Sequence, residues 1–81
     1  MKLWYSVSYY NKYLTYEQNV QNGVTLPKEN IPVVCYRVDV PYYFVGRFTA
    51  NKEDGLMCFD ARTGDKINTT FVEWQEFTLH S

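Results

Sequence analysis

Apolar and polar residues alternate along much of this chain with a period of two, which is the spacing of a half-buried β-strand. In residues 2–10, Leu3, Tyr5, Val7 and Tyr9 fall on one face and Trp4, Ser6, Ser8 and Tyr10 on the other. The first set is the expected core face. A second alternating run spans Val33 to Val40, with Val34, Tyr36, Val38 and Val40 on the apolar side and Arg37 and Asp39 pointing away. Pro41 lacks a backbone donor, so this strand is expected to end, bend or lie at an edge there. A third strand is expected from Tyr42 to Ala50, with Phe44 and Phe48 on one face and Tyr43, Val45, Arg47 and Thr49 on the other. Gly46 inside it marks a bulge or a close backbone approach.

Turn residues punctuate the remainder. Asn51 to Gly55 is a polar turn of hairpin length, Leu56 to Ala61 runs back, and Arg62-Thr63-Gly64 turns with glycine where a positive φ is wanted. Asp65 to Phe71 then returns, completing a three-stranded meander. Val72 to Leu79 reads as a last strand, with a short helical turn around Glu73 as the alternative. Two readings compete over residues 11–23. Asn11-Lys12 can turn a hairpin that returns through Tyr13 to Tyr16, with Asn22-Gly23 as a second tight turn into a strand at Val24 to Leu26. Alternatively a short helix starts at Thr15, with Gln18 completing a capping box and Gly23 stopping it. Two asparagines, β-branched Val20 and the lack of an apolar stripe favour the hairpin.

With 81 residues, the chain is expected to form a single domain over 1–81. The strand spacing predicts an all-β, mainly antiparallel fold: a small SH3-like or OB-like barrel, or a strongly bent sheet of five to six strands. The helical reading would add one short helix around 15–22. A domain this small has little surface to bury. Its eight Tyr, five Phe and two Trp supply large apolar area from few residues.

Eight basic and nine acidic side chains leave a formal net charge of −1, without the basic field that drives general binding to nucleic acid or anionic lipid. No segment has the length and apolarity of a membrane span, and the start lacks the apolar run of a signal peptide. A cytoplasmic location is therefore expected. Cys35 and Cys58 sit within strand-like runs and are expected to be small buried hydrophobes. A disulfide would need the two strands to be neighbours. Asn68-Thr69-Thr70 has the form of a glycosylation acceptor, which without a signal peptide is a chance match.

Catalytic templates lack parts. The one histidine, His80, lies beside the end of the sequence. Two cysteines 23 positions apart with no second histidine cannot make a four-ligand zinc site. The glycines are scattered and form no phosphate loop. Asp60 and Asp65, and Glu53 with Asp54, are turn carboxylates whose expected work is local hydrogen bonding. Glu73 and Glu76 read as a solvated surface. The chain is accordingly expected to be no enzyme, with no catalytic residue, no metal and no cofactor.

The excess of tyrosine carries the functional reading. Eight tyrosines cannot all be buried in so small a fold, because each buried hydroxyl needs a partner. Tyr, Trp and Arg also dominate binding hot spots. Trp4, Tyr10, Tyr13, Arg37, Tyr43 and Arg47 are the candidate binding residues, most of them opposite the expected core face. The expected partner is a larger protein, which the chain would inhibit by occlusion. Two alternatives are carried: a small nucleotide held by Arg37 or Arg47 with a stacked tyrosine, and single-stranded nucleic acid on an aromatic β face with Arg37, Arg47 and Lys66 as the basic patch. A symmetric homodimer would also bury spare aromatic surface. In compactness and lack of motifs the chain is similar to small phage-encoded inhibitors of host or defence proteins, a likeness of style that rests on no particular residue.

Overall fold

The computed structural model describes residues 4–7, 9–40 and 42–77. Among the described residues six strands form one antiparallel sheet: β1 (Tyr5–Ser6), β2 (Val33–Arg37), β3 (Tyr42–Asn51), β4 (Gly55–Asp60), β5 (Lys66–Ile67) and β6 (Val72–Gln75). Their order across the sheet is β1-β6-β2-β3-β4-β5. The helix α1 (Tyr16–Gln21) precedes β2, and a 3-10 turn at Thr69–Phe71 joins β5 to β6.

The expected meander is present as β3-β4-β5, with continuous register from Gly46 opposite Asp60 to Asn51 opposite Gly55. The connection after β5 dictates the shape. In a flat sheet β5 and β6 would stand four strand spacings apart, about 19 Å. Five residue steps from Ile67 to Val72 reach at most about 18 Å even fully extended, and part of that path is the 3-10 turn. The sheet must therefore curl. Among the described residues it does not close, since β1 and β5 remain as edges; the bent sheet rather than the closed barrel is the fold.

The concave face holds the core: Val33 and Cys35 of β2, Phe44 and Phe48 of β3, Cys58 of β4, Ile67 of β5, and Val72 and Trp74 of β6. Tyr16 closes it from the helix side, its hydroxyl donating to the Pro27 carbonyl at 2.6 Å. Tyr43, Val45 and Arg47 point to the convex face with Tyr36 and Val34 opposite or beside them.

Several local expectations are corrected. The helix α1 (Tyr16–Gln21), capped by Thr15, replaces the hairpin. Thr15 accepts from the Gln18 amide, and the Gln18 side chain accepts from the Thr15 amide, each at 3.0 Å, a reciprocal cap that outweighs weak intrinsic propensity. Gly23, at φ 95°, ends it, with Gly23 N–H donating to Val20 and Val24 N–H to Asn19. Val24 to Leu26 is then irregular. The faces of β2 are the reverse of those expected: Val33 and Cys35 are buried, while Val34 and Tyr36 are half-exposed. A strand of valines on both faces gives no contrast to fix its register, and pairing with Phe44 and Trp74 decides it instead. Val38, Asp39 and Val40 lie in a turn beyond the strand. Pairing in the first strand is confined to Tyr5–Ser6 among the described residues, and Tyr9 is 69% exposed rather than core. Leu3, Ser8, Pro41, Leu79 and His80 lie outside the described residues. The strand expected over Asp65 to Phe71 shortens to Lys66–Ile67. Asn68 caps the 3-10 turn through its side chain, accepting from Thr70 N–H at 3.0 Å.

Candidate functional site

The candidate residues separate onto the two sides of the sheet. On the convex face, register places Tyr36 directly opposite Tyr43, and their ring centroids are 5.0 Å apart. Trp4, entering β1, reaches across to both, 6.0 Å from Tyr36 and 5.7 Å from Tyr43. The three rings are mutually tilted, the arrangement favoured by their quadrupoles. Tyr43 is 67% exposed, and Trp4 and Tyr36 are half-buried. Val34 and Val45 form the next cross-strand pair.

Charge flanks this cluster unevenly. Glu73 stands opposite Tyr36 and accepts from the Ser6 hydroxyl at 3.1 Å. Further along the same face, Arg47, Phe59 and Lys66 line up across β3, β4 and β5. The Arg47 guanidinium lies 5.5 Å from the Phe59 ring centroid, and Nη1 donates to Asn30 at 3.5 Å. An apolar aromatic centre thus has an acid at one end and two bases at the other.

Arg37 is not part of this surface. It lies on the other face of β2, pairs with Asp39 and stacks 5.9 Å from the centroid of Tyr42. Hydrogen bonding to that guanidinium holds the Asp39 carboxyl below its ordinary range. The basic patch expected of Arg37, Arg47 and Lys66 is therefore only the last two. Tyr36 and Phe59 were missed as site residues. Alternation assigned Tyr36 to the core, and only the reversed register of β2 exposes it.

Tyr10 and Tyr13 lie on the helix side, lining a cleft of about 620 Å³ with Tyr16, Glu29 and Lys52. Burial and the nearby Glu29 carboxylate push the hydroxyls of Tyr10 and Tyr16 above the usual tyrosine range. Asn19, 1% exposed, fixes the loop in front of this cleft. Its oxygen accepts from Asn11 N–H at 2.8 Å, and its amide donates to the carbonyls of Asn11 and Thr15 at 3.0 and 2.9 Å.

The other chemistry-bearing groups have local work. Cys35 and Cys58 are buried and free. They stand on β2 and β4, opposite Phe44 and Phe48 of the intervening β3, so the neighbouring strands that a disulfide was expected to need are absent. Contact with the Cys35 thiol, followed by burial, pushes the Cys58 thiol up. Asp60 holds its turn by accepting from Arg62 and Thr63 N–H, and Asp54 N–H donates to Asn51. Among the described residues no three His, Cys, Asp or Glu side chains gather as a metal site. No helix there is long and apolar enough to cross a membrane.

Protein-family models, curated proteins and solved structures give no match to this chain.

Proposed function

We propose that this small open-sheet domain is a non-enzymatic binding module that docks a larger protein through the convex face of its sheet, and inhibits that protein by covering part of its surface. The Trp4–Tyr36–Tyr43 cluster carries the reading. Rigid aromatic rings beside the Val34–Val45 cross-strand pair and rimmed by Glu73, Arg47 and Lys66 have the composition of a hot-spot centre with a polar rim. Mixed charge at the rim suits a protein surface, which offers both signs.

The Arg47–Phe59–Lys66 row favours one second reading, single-stranded nucleic acid stacked on the same face. One experiment separates them. Protein purified from its native host is run on size-exclusion chromatography with light scattering and two-wavelength absorbance, beside a Trp4→Ala/Tyr43→Ala variant of unchanged thermal stability. A stoichiometric protein partner that the variant loses and a Tyr13→Ala variant keeps is the expected result. Co-elution of nucleic acid in place of protein transfers the face to the second reading, and a protein partner indifferent to Trp4 and Tyr43 overturns the assignment of this face.

A further inference from the structure

The helix side of the sheet carries a feature that convex-face docking does not use. The cleft of about 620 Å³ and a neighbouring one of about 430 Å³ share Tyr10 and Lys12. They adjoin at those two side chains and together form a groove, with Asp54 and Thr70 lining the smaller part and Glu17 and Lys52 the larger. Its walls are fixed. Tyr16 is anchored to the Pro27 carbonyl, and the three Asn19 side-chain hydrogen bonds hold the backbone of residues 11–15. That rigid loop presents Tyr13 at 86% exposure, and burying an amide to hold a solvent-facing ring suits preorganised recognition.

The electrostatics choose the ligand. Three carboxylates, Glu17, Glu29 and Asp54, and two ammonium groups, Lys12 and Lys52, line the groove. Arg37–Asp39 is the one ion pair among the described residues, so all five charges are free of ion pairs there. The Lys12 ammonium lies 5.6 Å from the Tyr13 ring centroid, showing that this ring face accepts a cation.

We propose that the groove binds an extended basic peptide segment. One lysine or arginine side chain of the segment displaces Lys12 from Tyr13 and is met by the groove carboxylates. Lys12 is the chain's own occupant of the seat. A phosphate-bearing ligand would face the carboxylate excess instead. The site lies across the sheet from the Trp4–Tyr36–Tyr43 cluster, so loss of either leaves the other measurable.

The test is a nitrogen-15 NMR titration of the intact protein with the capped peptide GSRSGRSG, its glutamine counterpart GSQSGQSG, and adenosine monophosphate. The arginine peptide is expected to give saturable shifts in the amides of residues 10–17 and 51–55, weakening as salt rises. Tyr13→Ala, at an exposed position, should weaken binding by about two- to fivefold, the scale of an exposed cation–π contact. Lys12→Ala should strengthen it by a similar factor. Equal binding of the glutamine peptide, shifts caused by adenosine monophosphate in place of the arginine peptide, or no saturable shift at millimolar peptide would each overturn the proposal.

Discussion

Replacing Gly46 with alanine tests how the centre of the sheet is built. The φ of this residue is not in the left-handed region, which among the glycines is occupied by Gly23, Gly55 and Gly64. Space, not backbone freedom, selects glycine here. An added Cβ would lie 2.9 Å from Cys35 Sγ, 2.9 Å from Phe44 Cε2 and 3.2 Å from the Phe59 carbonyl oxygen. Ordinary carbon contacts sit near 3.5–4.0 Å. Cys35 is fully buried and Phe44 nearly so, and the third atom belongs to the backbone of β4, so none can retreat freely. Overpacking of this kind costs about 1–3 kcal/mol, and three simultaneous contacts place this one near the top of the range. For a domain of this size that lowers Tm by about 10–20 °C. Denaturant unfolding followed by tryptophan fluorescence measures it. Cys35→Ala in the same background removes one of the three collisions, so the double variant should recover part of the loss, with a coupling of about 1 kcal/mol. A Gly46→Ala protein within about 0.5 kcal/mol of the parent would refute the close-approach argument, since exposed or roomy sites give changes of that size.

Asn19→Ala should cost about 2–3 kcal/mol, because it deletes three hydrogen bonds and strands the Asn11 amide, at roughly 1 kcal/mol for each bond; hydrogen exchange at Asn11 should accelerate, and unchanged protection there would contradict the stapling role. The hydroxyl of Tyr16 keeps its proton to higher pH in the folded state than in the unfolded chain. Its stabilising contribution is therefore fully present below about pH 10, the unfolded value, and is lost as pH rises from there towards the folded value. Unfolding curves from pH 9 to 11.5 should fall less steeply for Tyr16→Phe than for the parent, and parallel slopes would reject the linkage. Both thiols are buried, and Cys58 resists ionisation. A thiol reagent at pH 8 should label neither in the folded protein and both in strong guanidinium; rapid labelling of the native state would mean that the core opens.

The fold was legible where one face of a strand contrasts with the other. In β3, Phe44 and Phe48 against Tyr43, Val45, Arg47 and Thr49 set the faces correctly, and the polar turns around Asn51–Gly55 and Arg62–Gly64 marked where β4 and β5 follow. In β2 every position from Val33 to Tyr36 is apolar or small, so alternation could not say which face is inside. The helix was hidden for a different reason. Its six residues carry no apolar stripe, and one buried tyrosine and one buried asparagine do the packing. A capping box visible in the sequence was the better guide than propensity.

The same two misreadings account for the placing of Tyr36, Arg37 and Asn19. Once β2 is reversed, Tyr36 leaves the core and becomes the link between Trp4 and Tyr43, which sequence alone left as separate exposed residues. Arg37 turns the opposite way, to the concave face, and leaves the basic patch. Once residues 15–21 are helical, Asn19 turns inward and fixes the loop that displays Lys12 and Tyr13. The convex face therefore gains its surface from a residue placed by long-range strand pairing, and the helix side from one placed by local hydrogen bonds. A one-residue shift of β2 against β3 would dissolve the convex-face cluster while leaving the groove loop intact, because that loop is held by α1 and not by strand register. The two surfaces are in this sense built by independent devices. Substitutions that weaken one are expected to leave the geometry of the other unchanged, provided Gly46 and the Cys35 thiol and Phe44 ring packed against it keep β2, β3 and β4 in place.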